Sequence, residues 1–276
     1  MQFSVLIALY YREQPERLRL ALDSIAQQTL APDEVVIVKD AGLPEGLERV
    51  VQAAGERLKI RAVQLDDQVD LGTALQRGML ECSHDVIARV DTDDISRPDR
   101  FAKQIAYLEG NPDVDVVGSW VSEFDRSPER IYAWKKFPLS HDGIHRLAKR
   151  RNPMGHMTVM FRKTAVLDAG NYQRFRGIGM EDYDLWVRML IKGARFANLP
   201  EPLVNASAGG EMSRRRGGMR HAYNEVMLQR RFLDLGFLTP WEFLVNLATR
   251  VPFVMIPSRL RFMIQRKAFR DSPGAT

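Results

Sequence analysis

Three carboxylates stand within four residues of one another, directly after an apolar segment. The segment 85–90 is strand-like, and Asp91, Asp93 and Asp94 follow it. Carboxylates this close repel one another, so the cluster needs a cation among them. Hard divalent ions such as Mg²⁺ and Mn²⁺ prefer oxygen ligands and combine a few carboxylates with substrate phosphates. The run therefore predicts a metal site that holds a phosphorylated or nucleotide-linked ligand.

A helix N-cap is the alternative interpretation of the same run, because a helix is predicted to begin at Arg100. Capping requires one aspartate, and the run contains three. We therefore favour the metal site and expect Asp94 to be the residue that caps the helix.

A second acidic group, Glu181 and Asp182, precedes the segment 182–191, whose apolar residues have helical spacing. On its own the pair would be interpreted as first-turn acids that stabilise a helix N-terminus. Together with the Asp-x-Asp run, it is instead predicted to supply a general base.

Strands and helices alternate through the first third of the chain. Strands are predicted at 3–9, 34–39, 58–65 and 85–90, and helices at 16–28, 46–57 and 72–82. This order indicates an α/β fold with a mostly parallel sheet, whose ligands bind beyond the carboxyl ends of the strands. The candidate residues at those ends are Tyr10, Arg12, Asp40, Asp91 and Asp93.

The later part of the chain is less regular. We predict helices at 100–109 and 165–169 and strands at 114–124 and 158–161, whereas 125–152 is polar and shows no clear period. A boundary is placed near Gly236, which gives a domain at 1–235 and a helical extension at 236–276.

The ordered set of a strand-end aspartate, an Asp-x-Asp and a late Glu-Asp resembles an inverting family 2 glycosyltransferase of the GT-A fold, the Rossmann-like fold of nucleotide-diphospho-sugar transferases. The resemblance covers about residues 1–235. Four segments are similar to the bacterial branch that builds exopolysaccharide, capsule and lipopolysaccharide, of the amylovoran-biosynthesis type; they are 32–40, 87–96, 152–163 and 181–189.

The resemblance implies a role for each carboxylate. Asp40 would bind a uracil-type base, and Asp91 the nucleoside. Asp93, with Asp91, would hold the Mn²⁺ or Mg²⁺ that bridges the donor diphosphate. Asp182, beside Glu181, would be the general base. Further residues expected at the nucleotide sugar are Ala8, Tyr10, Arg12, Gly72, Arg77, Thr92, His156, Arg214 and Arg215.

The resemblance also implies partners. The donor would be a nucleotide-diphosphate sugar, with a UDP-sugar favoured, and the acceptor a saccharide on a polyprenyl lipid. A Gln-x-x-Arg-Trp element of processive synthases is absent, so we expect one sugar per acceptor. Lys39 stands where many relatives have a second aspartate, which predicts either an altered base contact or a branch variation. His156 is interpreted equally well as a structural residue.

Charge and cysteine content bear on location. The net charge is +5, and the single cysteine, Cys82, excludes an internal disulfide and suits a reducing cytosol. The basic excess follows Ser213, and the apolar clusters of 237–269 are expected to be broken by Pro252 and Pro257. This extension is either a helical subdomain on the core or an in-plane anchor at the inner face of the cell membrane.

Two other functions fit parts of the pattern. A nucleotidyltransferase acting on sugar phosphates would need a glycine-rich phosphate loop after the first strand, and Tyr10-Tyr-Arg-Glu13 has no glycine. A non-enzymatic nucleic-acid binder would need basic residues clustered with stacking aromatics, whereas the C-terminal arginines are spread among apolar residues. We therefore expect no nucleic-acid partner.

Overall fold

The computed structural model describes residues 1–124, 130–174, 180–207, 218–257, 260, 261, 263, 264 and 270. The strands within them are β1 Phe3–Leu9, β2 Glu34–Lys39, β3 Ile60–Gln64, β4 Val86–Arg89, β5 Ile95–Ser96, β6 Val116–Phe124, β7 Ile131–Lys135, β8 Met160–Arg162 and β9 Phe196–Ser207. The helices are α1 Pro15–Ala26, α2 Glu45–Ala54, α3 Leu71–Glu81, α4 Arg100–Gly110, α5 His141–Ala148, α6 Lys163–Asp168, α7 Glu181–Ile191, α8 Met219–Asp234 and α9 Pro240–Met255.

One sheet joins these strands in the order β3-β2-β1-β4-β8-β6-β9-β5, with β7 paired to β6. Strands β1, β2, β3 and β4 pair in parallel, as do β6 and β9. Because β8 runs antiparallel to both β4 and β6, those two strands point the same way. Six of the nine strands in the described residues therefore share one direction, and the prediction of a mostly parallel α/β sheet is confirmed.

Apolar side chains cover both faces of the sheet, which explains why β1 and β2 are almost continuously hydrophobic. Val5, Ile7 and Leu9 face a layer that includes α1, α2 and α4. Leu6 faces the opposite layer, to which α3, α5, α6, α7 and α8 contribute. The carboxyl ends of the six parallel strands consequently meet at one uncovered edge.

The predicted order of elements through α4 is confirmed except for the two-residue strand β5, which was not predicted. The segment 125–152 also contains structure that its polarity concealed. It includes β7 and α5. The Ser140 side chain accepts a hydrogen bond from the Gly143 amide at 3.3 Å, which is an N-cap, and Ile144 and Ala148 are the buried residues that follow. The serine at the N-cap position is the feature of the sequence from which α5 could have been predicted.

Strand β9 was not predicted because it contains two prolines, which argue against a strand. The register of the β6–β9 pair shifts on both sides of Trp120, the partner of Pro202. The irregularity lets the strand accommodate proline and continue to Ser207.

The expectation that Pro252 breaks the C-terminal segment was wrong. Helix α9 runs through Pro252 and ends at Met255, ahead of Pro257. Pro252 is exposed to solvent, so its ring is accommodated without disturbing a packed neighbour. Thr239 and Glu242 fix the start of the helix with a capping box.

Among the described residues, none of the helices combines the length and the apolar character needed to traverse a bilayer.

Helix α3 can lie close to the sheet because Gly78 faces it. A Cβ at Gly78 would come within 2.4 Å of Leu6 Cδ1 and 2.6 Å of Val38 Cγ2, both of which are buried. We expect Gly78→Ala to lower the free energy of unfolding by about 1–3 kcal/mol, measured by urea denaturation, because overpacking outweighs the gain in helix propensity. Gly110→Ala, with open space around its Cβ, should be neutral or stabilising; equal losses in both variants would refute this account.

Candidate active site

A single guanidinium, that of Arg89, lies at the centre of the acidic residues at the sheet edge. Arg89 is the last residue of β4, is only 2% exposed and forms an ion pair with Asp91. Its Nε has no hydrogen-bond partner among the described residues. Burial alone would lower the pKa of Arg89, yet the adjacent Asp91 carboxylate raises it on balance. Arg89 is therefore a fixed positive charge inside the site.

The carboxylates after β4 crowd around this charge. Burial first, and then the charges of Asp91 and Glu13, raise the pKa of Asp93 to about 6. Glu13 reaches the site from the loop after β1, where its carboxylate accepts a hydrogen bond from the Thr92 hydroxyl at 2.7 Å. Arg17 forms an ion pair with Asp93 at 3.9 Å. The ends of β1 and β4 thus form one acidic crevice.

The predicted capping role of Asp94 was wrong. The N-cap of α4 is Asp99, and Asp94 instead accepts a hydrogen bond from the Ser207 amide at 3.0 Å. Asp94 is buried, and its pKa is raised well above the usual range, first by burial and then by Asp93 and Asp91. Asp94 therefore ties the acidic loop to the end of β9.

The residues present fit a divalent cation that is completed by a ligand. In the described part of the chain, no three acidic, histidine or cysteine side chains form a metal cage of their own. Asp91 and Asp93 offer a small set of hard oxygen ligands, and the charge of Asp91 adds to burial in raising the pKa of Asp93. Mg²⁺ and Mn²⁺ commonly bind to one or two carboxylates together with substrate phosphates. These two aspartates are therefore the candidate metal ligands.

The second acidic pair lies at the N-terminus of α7, on the same side of the molecule. Glu181 and Asp182 are both buried. Asp182 Oδ2 accepts a hydrogen bond from Asn152 Nδ2 at 2.6 Å, and its Oδ1 accepts one from the Tyr183 amide at 2.7 Å. These donors hold the Asp182 carboxylate in one orientation. The positive charge of Arg89 acts on Glu181 as well as on Asp93, so the two acidic groups share one electrostatic centre.

Gly72, predicted at the nucleotide sugar, allows α7 to approach α3. A Cβ at Gly72 would lie 2.7 Å from the Gln173 carbonyl oxygen and 3.3 Å from Glu181 Cβ. Asp70 caps α3 by accepting a hydrogen bond from the Thr73 amide at 3.0 Å. The starts of the two helices are thereby brought together at the site, and a direct contact of Gly72 with the donor remains a prediction.

Helix α7 is also fixed from behind by a buried ion cluster. Asp184 is 1% exposed and pairs with Arg188 Nε at 2.8 Å and with Arg231 Nε of α8 at 2.5 Å. Arg231 also donates a hydrogen bond to Gln173 Oε1 at 2.6 Å. Two positive charges around one carboxylate make the cluster stabilising where a lone buried charge would not be. It helps to fix the position of Asp182, two residues earlier on the same helix.

His156 lies in a single 3-10 turn, His156–Thr158, under the site. Its Nε2 is 2.8 Å from the Tyr172 hydroxyl, and its ring packs edge-on against Trp186. Burial, followed by the charge of Arg89, lowers the pKa of His156 well below its usual range. The ring is therefore neutral and internally paired, which favours the structural interpretation; its contact with the donor stays a prediction.

The end of β2 supplies a separate polar group. Asp40 is buried; its Oδ1 accepts a hydrogen bond from the Val69 amide at 3.3 Å, and its Oδ2 has no partner among the described residues. Lys39, the departure from the expected pattern, instead pairs with Glu48 of α2 at 2.7 Å. The geometry thus favours a branch variation at Lys39 and leaves Asp40 as the carboxylate available to a ligand.

Four further predicted residues lie at the ends of β1 and β4. Ala8 is half-buried in β1, and Tyr10 is exposed, stacked edge-on against Tyr11. Arg12 lies 5.0 Å from the centroid of the Tyr11 ring. Thr92, as described, bonds to Glu13. These residues line the crevice between the two strands, the switch point of the sheet at which such folds bind ligands.

Three more residues were predicted at the nucleotide sugar: Arg77, Arg214 and Arg215. Arg77 is exposed on α3 and forms no hydrogen bond or ion pair with another described residue. Arg214 and Arg215 lie outside the described residues. Their predicted contacts with the nucleotide sugar stay predictions.

Sequence reasoning missed Arg89, Glu13 and Asn152 as site residues. Arg89 carried a signal, because an arginine inside an otherwise apolar strand must be paired when it is buried. Asn152 begins a segment that had already been singled out, but nothing in its spacing indicated Asp182 as its partner. Glu13 follows the first strand by four residues and carried no signal of its own.

Comparison with known proteins identifies related sequences over the whole chain. The profile described as Glycosyl transferase family 2 matches residues 4–169. The amylovoran biosynthesis glycosyltransferase AmsE of Erwinia amylovora is 43% identical over 254 residues, which cover 90% of this chain and 94% of the relative. The UDP-Gal:α-D-GlcNAc-diphosphoundecaprenol β-1,3-galactosyltransferase of Escherichia coli is 34% identical, with 98% of this chain and 97% of the relative covered.

Solved structures show the same fold at lower identity. S. aureus TarS 1–349 in complex with UDP-GlcNAc has a TM-score of 0.65 at 17% identity, covering 90% of this chain and 71% of that one. The mannosyltransferase PcManGT of Pyrobaculum calidifontis, in complex with GDP-Man and Mn²⁺, has a TM-score of 0.64 at 16% identity, covering 97% and 75%. The predicted GT-A fold with a C-terminal helical extension is confirmed by these similarities.

The state of Glu181 can be tested through stability. Burial, and then the Asp182 charge, raise the pKa of Glu181 to about 7, compared with about 4.3 in an unfolded chain. The native state therefore loses stability as Glu181 ionises between these values. We expect Glu181→Gln to match the wild type near pH 3.5, below the pKa of the unfolded chain, and to exceed it by up to about 3 kcal/mol at pH 8, measured by urea denaturation.

The matched control is Glu56→Gln, because Glu56 is exposed. This variant should follow the wild-type pH dependence throughout. Parallel stability curves for the wild type and Glu181→Gln would show that Glu181 ionises in the native protein as freely as in the unfolded chain.

Proposed function

Since the chain belongs to glycosyl transferase family 2 and is a glycosyltransferase, we propose that it moves one sugar from a nucleotide-diphosphate sugar to a lipid-linked saccharide, with inversion at the anomeric carbon. The observation that carries the proposal is the meeting of Asp91, Asp93 and Glu181 around Arg89, with Asp182 beside Glu181 at the same edge of the sheet. The proposed setting is bacterial surface polysaccharide biosynthesis.

The proposed binding of the nucleotide-sugar donor rests on Asp40. A buried acceptor atom without a partner costs free energy, so Oδ2 of Asp40 favours a ligand that donates a hydrogen bond. The imide N–H of uracil is such a donor. TarS is a structural neighbour in complex with UDP-GlcNAc and with UDP, which supports a UDP-sugar as the donor.

Asp91 and Asp93 would hold Mn²⁺ or Mg²⁺ together with the donor diphosphate. The bound ion would act as a Lewis acid that stabilises charge on the departing nucleoside diphosphate. The Mn²⁺ in the PcManGT complex supports a divalent ion in this fold. Arg89 holds Asp91 in place through their ion pair, so that the carboxylate is positioned before the ligand arrives.

Asp182 is the proposed general base. It would take the proton from an acceptor hydroxyl as that oxygen attacks the anomeric carbon from the face opposite the leaving group. Asn152 orients the carboxylate by its hydrogen bond at 2.6 Å. Burial, and then the Asp182 charge, raise the pKa of Glu181 to about 7, which also suits a general base, so Glu181 is the second candidate. The preference for Asp182 comes from the family resemblance.

The acceptor is inferred from the relatives. The Escherichia coli relative uses a GlcNAc-diphosphoundecaprenol acceptor, and it is similar to this chain along nearly its whole length. The AmsE relative belongs to amylovoran biosynthesis. We therefore propose a polyprenyl-linked saccharide as the acceptor, and a cytoplasmic enzyme that works at the inner face of the cell membrane.

The assignment of Asp182 predicts the effect of one substitution. Asp182→Asn keeps the shape of the side chain and removes its basicity, so the rate of transfer should fall by about 10²- to 10⁴-fold. The assay would measure sugar transfer to polyprenyl-diphosphate GlcNAc from UDP-Gal, UDP-GlcNAc or GDP-Man with Mn²⁺. Asp168→Asn, at an exposed residue at the end of α6, should retain wild-type activity.

Glu181→Gln separates the two candidate bases and should lower the rate less than Asp182→Asn does. Full transfer by a folded Asp182→Asn protein would overturn the assignment of the base. Absence of transfer by the wild type with every donor, together with an absence of donor hydrolysis, would count against the proposed reaction.

A further inference from the structure

Helix α9 is attached to the body of the protein by polar as well as apolar side chains, and its buried residues are Asn246 and Val254. Asn246, which is 2% exposed, donates hydrogen bonds to Gln229 Oε1 and to the Lys149 carbonyl, both at 2.8 Å. Arg250 donates hydrogen bonds to both oxygens of Glu225, at 2.5 and 2.9 Å. A helix that packs on a domain normally buries its apolar stripe and exposes its polar one. In α9 part of the covered face is polar, and large apolar side chains lie on the opposite face.

The opposite face of α9 is apolar and faces outward. Trp241 is 73% exposed, Leu244 57% and Met255 46%, and Ala248 is also exposed. Their separations of three, four and seven residues place them on one stripe of the helix. Single exposed apolar residues are ordinary, whereas a continuous apolar stripe marks an interaction surface.

The stripe continues onto α8. The Gly218 amide donates a hydrogen bond to the Val254 carbonyl at 3.2 Å, which places the first turn of α8 beside the last turn of α9. Met219 and Tyr223, one turn apart on α8, are exposed there. We call the set formed by Trp241, Leu244, Ala248, Met255, Met219 and Tyr223 the α9 patch.

The sequence that contains the α9 patch is basic, which points to an anionic partner. Residues 214–276 contain twelve arginines and lysines but only four acidic residues. Among the described residues, Arg220 is exposed between Met219 and Tyr223. A second copy of the chain would bring two equally basic sequences together, which is unfavourable. An anionic bilayer instead accepts apolar side chains at the level of its headgroups and attracts the surrounding cations.

We infer that the α9 patch is an in-plane docking surface for an anionic lipid bilayer. Trp241, Leu244 and Met255 enter the interface, while Asn246 and Arg250 keep α9 attached to the protein. The purpose we assign to the docking, which is to hold the transferase close to a lipid-linked acceptor, rests on the proposed function. The docking itself follows from the surface alone.

The test is co-sedimentation of the full-length protein with vesicles of phosphatidylglycerol and phosphatidylethanolamine, and with vesicles of phosphatidylcholine. The wild type should bind the anionic vesicles, and its partitioning should weaken as salt is raised. Trp241→Glu/Leu244→Glu should lower partitioning at least tenfold. Leu80→Glu is the matched control, because Leu80 is 62% exposed on α3, and it should bind as the wild type does.

Two readouts separate the possible outcomes. Sugar transfer to a short-chain, water-soluble acceptor should be unchanged in Trp241→Glu/Leu244→Glu, because the active site is intact. If neither the wild type nor any variant transfers sugar but the wild type still binds vesicles, the proposed function is refuted and the docking surface is not. Equal binding of both variants to anionic vesicles would overturn the docking surface. So would a wild-type dimer in light scattering that Trp241→Glu/Leu244→Glu converts to a monomer, because the patch would then be covered by a second copy.

Discussion

An excess of carboxylates over buried positive charge is the constraint on which the site depends. Asp91, Asp93, Asp94 and Glu181 all lie in the field of Arg89. Two further described cations lie near these acids: Arg17 pairs with Asp93, and Arg100 is buried close to Asp91 and Asp94. Burial is the largest cause of the raised pKa values of Asp93 and Glu181, and the charges of neighbouring carboxylates add to it. The described carboxylates still outnumber the cations, and this imbalance remains. A divalent ion bound together with a diphosphate would correct it by supplying charge and ligands at once.

The fold holds these mutually repelling carboxylates together by contacts from several elements. The sheet fixes the positions of Arg89 and Asp91, because Arg89 is the last residue of β4, which pairs with β1, and Asp91 follows it by two residues. Gly72 lets α7 approach α3, and the ion cluster of Asp184 and Arg231 holds α7 from the side of α8. Each attachment is made by residues that do not themselves carry out chemistry. The protein stabilises its acidic centre by packing around it, and leaves the open edge to the ligand.

Sequence patterns predicted the elements through α4 because the strands there are buried on both faces and the helices are amphipathic. The positions of Asp40, Asp91, Asp93 and Asp182 followed from that order. Asp94 was misassigned because its partner, the Ser207 amide, is 113 residues away and leaves no local trace. Arg89 was missed for a similar reason, since its surroundings are assembled from the ends of β4, β1 and α7.

The C-terminal helix shows a different limit of sequence reading. Its apolar residues indicated a helix, but which stripe faces the protein is decided by partners elsewhere, such as Gln229 and Glu225 for Asn246 and Arg250. A spacing rule predicts a stripe and does not say what covers it. The structure shows that part of the covered face is polar and that Trp241, Leu244 and Met255 are exposed on the opposite face.

The central claim is that the acidic centre binds a divalent ion and a nucleoside diphosphate as a unit. Isothermal titration calorimetry of UDP, with and without Mn²⁺, tests it most directly in the wild type and in Asp93→Asn. The account predicts that Mn²⁺ lowers the Kd of UDP by about tenfold or more in the wild type and has little effect in the variant. An equal affinity of the wild type for UDP in the presence and absence of Mn²⁺ and Mg²⁺ would contradict it.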